Sequence, residues 1–338
     1  MHRLIASVML LAALTAPLRS QTTSTDMEWV RVGNPGNPAY DGRVGQVDYV
    51  FEIGKYEVTI AQYIEFLNAV ATIDDRFELL FVNPEIPETT AVQTGIERRG
   101  APGAYSYHSA LMPPDYPVGM ITVWDAMRYA NWLHNGRPTG VQGPDTTEDG
   151  AYTLTPEAME QNLVTRNATA RYFLPNHDEW VKSAYYNPQQ DDGSYWLFPY
   201  QTNEPPTRSG PSDVPNTALF HGGGPVRVGS YPNSIGPYGT LDQGGNVTEM
   251  IETASEIDDL IPGEFRPVRL TLGGDHGSSV ETLRIDGIQF MSLENQGGNI
   301  GFRIARLPEP SGGVPAYAAA TSVMLARRRR GIRQQQSS

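Results

Sequence analysis

Apolar residues recur at helical spacing in three places. After Thr59, the residues Ile60, Tyr63, Ile64, Leu67 and Val70 fall on one face, and Thr59 with Gln62 three residues on forms a reciprocal capping pattern. After Thr122, Val123, Met127, Ala130 and Leu133 make a second face, with Asp125 at the matching position and Gly136 and Pro138 as the stop. After Asn176, Trp180, Ala184 and Tyr185 point one way, Glu179 occupies the matching position, and Asn187-Pro188 ends the run. Tyr49 to Ile53, Arg227 to Val228 and Ile300 to Ile304 read as short strands. Pro-Gly, Gly-Gly and Asn-Pro steps punctuate the chain from residue 186 onward. No repeat of fixed period is present. Few helices, short strands and much irregular chain predict an α+β domain.

Composition sharpens this picture. At 338 residues with 39% hydrophobic content, the chain can bury a core as one large domain or two small ones. Its 34 Gly and 27 Pro favour a loop-rich fold over a helix bundle. A net charge of -13 argues against a fold-wide grip on nucleic acid, which needs a basic face. The absence of cysteine excludes disulfides, zinc-thiolate sites and a thiol nucleophile.

The two ends read as addresses. Residues 1–20 begin with His2 and Arg3, continue through a mostly apolar run from Leu4 to Leu18, and give way to polar chain from Gln21 to Asp26. That order fits an export signal, with a buried first helix as the other reading. Residues 308–338 carry Pro308-Glu309-Pro310, a weakly apolar stretch from Val314 to Ala326, and the cluster Arg327 to Arg330. This resembles a degenerate PEP-CTERM sorting tail, with a disordered basic tail as the plain alternative. An exported location, periplasmic, at the cell surface or extracellular, follows from the first reading, and membrane contact through the tail alone from the second.

Between the ends, ordered blocks carry a further resemblance. Met27-Glu28-Trp29-Val30 is followed by Gly54-Lys55-Tyr56-Glu57-Val58-Thr59, which matches "G-x-x-E-V-T". Pro117-Val118 precedes Val123-Trp124-Asp125-Ala126 and Tyr129-Ala130-Asn131-Trp132-Leu133. Leu174-Pro175 with Glu179-Trp180 matches "R-L-P-T-E-x-E-W". Tyr238-Gly239, Asp242, Gly245-Asn246-Val247 and Glu249 match "G-L-x-D-M-x-G-N-V-W-E-W". Gly273-Gly274 and Gly301-Phe302-Arg303 match the closing "G-G-S" and "G-F-R". Residues 27–307 thus resemble the formylglycine-generating enzyme, or sulfatase-modifying factor, family. The resemblance implies an α+β, C-type-lectin-like fold.

Departures from that pattern bear on function. The family's two copper-binding cysteines fall near Leu283 and Ile288 by rough alignment, and neither side chain can form a thiolate. Copper is therefore not expected, nor formylglycine-generating activity. Phe173, Thr248, Met250 and Asp275 also replace motif residues. The resemblance implies calcium in the "G-N-V-W-E-W" loop, at Asp242, Gln243, Gly245 and Val247, with Glu249 as a nearby carboxylate. Calcium takes 6–8 hard oxygen ligands; a tight turn with Asp242 capping free amides is the other reading. A second family site would use Asn216 and Thr217 but lacks its acidic partner at Gly222-Gly223-Gly224.

Two functional classes remain. One is an exported, non-catalytic domain that binds a peptide or glycan ligand or serves as a surface module. The other is a metal-dependent oxidoreductase of the non-haem iron type, which needs two His and a carboxylate around one open position. His108, His134, His177, His221 and His276 show no paired ligand spacing. Asp275 and His276 lie where the family's chemistry sits and form the candidate pocket. The aromatic run Tyr195, Trp196, Phe198 and Tyr200 could stack a ligand or pack on the core. Asn246-Val247-Thr248 reads as an incidental glycosylation sequon.

Overall fold

The computed structural model describes residues 26–82, 90–190, 193–258 and 265–309. The proposed signal, 1–20, and the tail beyond Glu309 lie outside the described residues. In chain order the elements are β1 (Trp29–Val32), β2 (Phe51–Gly54), α1 (Ile60–Val70), α2 (Thr90–Thr94), β3 (Ile96–Arg99), β4 (Ser106–Ser109) and α3 (Val123–His134). Then come α4 (Pro156–Glu160), β5 (Tyr172–Phe173), α5 (His177–Tyr185), β6 (Thr207–Arg208) and β7 (Thr217–Ala218). The last are β8 (Thr248–Asp258), β9 (Phe265–Leu272), β10 (Gln289–Ser292), β11 (Ile300–Phe302) and β12 (Ala305–Arg306). Two four-stranded sheets dominate, in the orders β1-β2-β12-β5 and β10-β9-β8-β11. The fold is α+β, as the sequence predicts.

The three long helices start where their caps place them. Thr59, Thr122 and Asn176 each accept from the backbone of the third helical residue, whose side chain accepts in return. The apolar faces of α1 and α3 meet in the main core, whereas α5 packs Trp180, Val181, Ala184 and Tyr185 against Ile251 of β8 and Leu270 and Leu272 of β9. Phe66 and Tyr129 pack edge to face at 5.4 Å between ring centroids, and Tyr129 meets Phe302 of β11 at 5.5 Å. Such pairs add to the apolar burial of α1 and α3.

Two strand expectations change. Arg227 to Val228 is loop rather than strand: Arg227 is paired with Asp115, and Val228 donates to the Asp115 carbonyl at 3.0 Å. Of Ile300 to Ile304 only Ile300–Phe302 is strand, as β11; Arg303, its side chain fully buried, and Ile304 separate it from β12. The hairpin of β8 and β9 is the longest strand pair, and its register shifts between Met250 and Ala254. Among the described residues no helix is long and apolar enough to cross a membrane.

Candidate functional site: a buried charge cluster behind a glycine-rich turn

Arg303 is completely buried, so each of its N–H groups must find an acceptor inside the protein. Nε donates to Glu249 Oε2 at 2.6 Å and Nη2 to Glu249 Oε1 at 2.5 Å. Nη1 donates to the Gly54 carbonyl at 2.9 Å and Nη2 to the Leu241 carbonyl at 3.1 Å. Trp180 Nε1, on α5, donates to the same Glu249 Oε2 at 2.6 Å. One guanidinium thereby joins the end of β2, the start of β8, the β11–β12 junction and the turn before β8.

Two more carboxylates face this pair. Glu57, just after β2, accepts from Asn246 Nδ2 at 3.0 Å through Oε1, and its Oε2 is buried with no hydrogen-bond partner. Asp242 accepts from the Gly229 amide at 2.5 Å. Burial pushes Asp242 up to about 6, against the Gly229 amide and Arg303, which hold it down. Burial and then the Asp242 charge raise Glu57 well above the usual carboxylate range. Three carboxylates therefore share one buried cation.

The turn that carries Asp242 is built on left-handed backbone. Asp242, Gly245 and Asn246 have φ of 62°, 80° and 59°. A Cβ on Gly245 would stand 2.3 Å from the Leu219 carbonyl oxygen, and one on Gly273 would stand 2.7 Å from that of Gln243. Only glycine allows these two backbones to approach, and Gly245 N donates to the Gly273 carbonyl at 2.9 Å.

Of the predicted metal residues, Asp242, Gln243, Gly245 and Val247 lie together in this turn. Glu249 has both oxygens taken, by Arg303 and Trp180. Gln243 donates to Ser183 Oγ at 2.9 Å, and its Oε1 is buried without a partner. Among the described residues no group of three His, Asp or Glu is arranged to hold a metal. A cation here would be held by Asp242, by the orphaned oxygens of Gln243 and Glu57, and by main-chain carbonyls of the turn. Those are hard oxygen donors, the set that suits calcium. Glu57 and Arg303 sit inside the sequence blocks but escape a residue-by-residue search for ligands, because their partners are distant along the chain.

The region aligned with the family's copper cysteines is different. Leu283 is fully buried in an apolar cluster with Phe198, Tyr200, Ala218 and Phe220, while Ile288 is 41% exposed. Asp275 accepts from Gly277 N and from Asn299 Nδ2. His276 Nδ1 is buried without a partner. His221 comes near it through the main chain, with Gly222 N donating to the His276 carbonyl at 2.6 Å. His108, His134 and His177 belong to β4, α3 and α5. Asn216 Oδ1 is buried without a partner, while Thr217 Oγ1 donates to the Val214 carbonyl at 2.7 Å. Phe198 and Tyr200 are core residues, and the Asn246 of the sequon is buried.

A second charge cluster escaped the sequence reading. Arg166 meets Glu179 at 2.6 Å and 2.8 Å, donates through Nε to Glu252 at 2.9 Å, and lies 3.6 Å over the Phe173 ring. Tyr49 donates to Glu179, and Tyr152 to Glu252 at 2.6 Å.

Among solved structures, the chain is similar to that titled "Crystal Structure of CarF", at TM-score 0.49 and 19% identity over 85% of this chain and 100% of that one. It is similar to Treponema denticola variable protein 1, at TM-score 0.46 and 14% identity over 83% and 95% of the two chains. It is also similar to PvdO from Pseudomonas aeruginosa, at TM-score 0.43 and 18% identity over 84% and 95%. No curated protein matches the chain by sequence. The sequence model of the sulfatase-modifying factor enzyme 1-like domain matches residues 20–308. The chain belongs to the sulfatase-modifying factor enzyme 1-like family.

Proposed function

We propose that this chain is an exported, non-catalytic member of its family that acts as a ligand-binding or surface module. The observation that carries the reading is the pair Leu283 and Ile288. Where the family resemblance expects copper thiolates, one side chain fills an apolar cluster and the other lies at the surface. Without a thiol anywhere in the sequence, the copper-thiolate route to an aldehyde has no ligand and no nucleophile. A fold retained while its chemistry changes is ordinary, because function lives in the site.

Calcium at the Asp242 turn is part of this reading. Its role is order rather than chemistry: it would fix the turn against Gly273 and balance the carboxylates around Arg303. The orphaned oxygens of Glu57 and Gln243 support it. Export by the N-terminal segment and sorting by the tail complete the proposal; both rest on the sequence pattern.

The test is incubation of the full chain with copper and a sulfatase-type cysteine peptide. No aldehyde is expected by mass spectrometry. Turnover above the protein-free control overturns the non-catalytic reading.

A further inference from the structure

The outer face of the first sheet carries a cleft that none of the preceding chemistry uses. Along one register row, Arg31 pairs with Glu52, Glu52 with Arg306, and Arg306 with Tyr172. Side chains alternate across a strand, so Trp29 stands on the same face as Arg31. The opposite face, with Val32, Phe51, Ile53, Ala305 and Phe173, is core. The C-terminal end of α3 adds Leu133, and the turn after it adds Arg137. Together with Asp26 they enclose a half-open cleft of ≈ 420 Å³, a volume typical of small-ligand sites.

The lining is specific in chemistry. Trp29 and Tyr172 form an apolar wall, with centroids 6.0 Å apart and rings tilted by 58°. Arg306 lies 4.3 Å over the Trp29 ring and is oriented by Glu52, which accepts from Nε at 2.7 Å. Arg137 lies 5.6 Å over Trp132 and is oriented by Glu65, which accepts from Nη1 at 3.2 Å. Arg306 is thus held by Glu52 through Nε, and Arg137 through Nη1 alone, which Glu65 shares with Asp26 at 3.9 Å; each guanidinium keeps further N–H donors for the cleft. Arg137 also holds a left-handed φ of 58°, directly after Gly136 at 85°. A non-glycine residue in that conformation persists only where its surroundings impose it.

We propose that this cleft binds a carboxylate-bearing saccharide, such as a uronic-acid unit of a glycan. Two planar forks suit a carboxylate, which they bind bidentately. The aromatic wall suits the apolar face of a pyranose. A phosphate would use the forks and leave the wall idle. A neutral sugar would use the wall and leave the forks unanswered. A half-open cleft admits one unit of a longer polymer. This inference rests on the ligand-binding reading and gives it a ligand class. Its failure is separable, because the aldehyde assay does not involve the cleft.

The full chain is titrated calorimetrically with a trigalacturonate, with the same oligosaccharide after reduction of its carboxyl groups, and with inorganic phosphate. The acidic oligosaccharide is expected to bind at least about tenfold more tightly than either of the others, the effect of losing a charge-assisted bidentate contact. Arg306→Gln is expected to weaken binding by a similar factor. Should that variant fail to fold, Arg137→Lys keeps the charge and removes the fork; it is expected to weaken the acidic ligand while its melting curve stays that of the parent. Equal binding of the reduced oligosaccharide, equal binding of phosphate, no binding at millimolar concentration, or full affinity in Arg137→Lys overturns the proposal.

Discussion

Arg303, fully buried, and Arg166, half-buried, are both guanidiniums clamped by glutamates, yet their surroundings balance differently. Around Arg166, all four carboxylate oxygens of its two partners are met. Glu179 accepts from Tyr49, Arg166 and the Asn176 amide. Glu252 accepts from Tyr152 and from Arg166 through both oxygens. Around Arg303, Glu249 is equally satisfied, but Glu57 keeps a buried oxygen without a partner and Asp242 adds a further carboxylate. A satisfied cluster braces elements together. A cluster with surplus buried charge calls for a proton or a cation, because an unpaired charge in low dielectric is expensive. The first cluster reads as a brace and the second as a site.

Removing each arginine gives the largest effect and tests that difference directly. Breaking a buried pair costs about 3–5 kcal/mol. Arg303→Met leaves three buried carboxylates without their cation and is expected to reach or exceed that range, up to failure to fold. Arg166→Met is expected to cost at least about 1 kcal/mol less, because Tyr49 and Tyr152 still donate to the exposed carboxylates. Urea unfolding of the two variants decides it. An equal or larger loss in Arg166→Met breaks the distinction between brace and site.

The two regions were also unequally legible from sequence. Helix starts are local signals, so Thr59, Thr122 and Asn176 could be placed from a few residues each. The turn around Asp242 was legible for the same reason, since its glycines lie side by side. The Arg303 cluster draws Glu57, Glu249 and Arg303 from across the whole chain, and nothing in spacing records that they meet. The sequence blocks contained all three without assigning them to one another. The Arg166 cluster left still less trace, because Arg166 and Glu252 lie in no block. The β8–β9 hairpin was missed because half-exposed strands with a register shift lack clean alternation.

A smaller effect separates the two ways of balancing the Arg303 cluster. If calcium fills the Asp242 turn only in the folded state, it adds about 2.7 kcal/mol at a hundredfold excess over its dissociation constant. The melting temperature should then fall on chelation, return with Ca²⁺, and respond little in Asp242→Asn. If protons do the balancing instead, chelation changes nothing and pH takes over. Asp242, raised from 3.8 to about 6 by burial, then keeps a proton that the unfolded chain releases. Stability would fall as pH rises across that window, and Glu57→Gln would flatten the slope. Melting curves of metal-free protein between pH 4 and 7, with and without Ca²⁺, distinguish the outcomes. A chelation effect supports the cation; a pH slope without one replaces it by protonation.

The smallest expected effect concerns how each cluster is tied to the helix beside it. Asn176 caps α5 and shares Glu179 with Arg166: Glu179 Oε2 accepts from the Asn176 amide at 2.7 Å and from Arg166 at 2.6 Å. Thr59 caps α1, but its reciprocal partner is Gln62, which has no bond to the Arg303 cluster. Replacing either cap by alanine should cost about 1 kcal/mol. The two should differ when combined with loss of the neighbouring arginine. Asn176→Ala and Arg166→Met act on one carboxylate, so their effects are expected to depart from additivity by about 0.5 kcal/mol or more. The Thr59 cap is paired with an independent side chain. Thr59→Ala combined with Glu249→Gln, a milder perturbation of the Arg303 pair than Arg303→Met, should add within about 0.5 kcal/mol. Double-mutant cycles by urea unfolding measure both. Coupling at Thr59 as large as at Asn176 would mean that the Arg303 cluster also braces its helix, and the contrast between the two regions would then rest on the surplus charge alone.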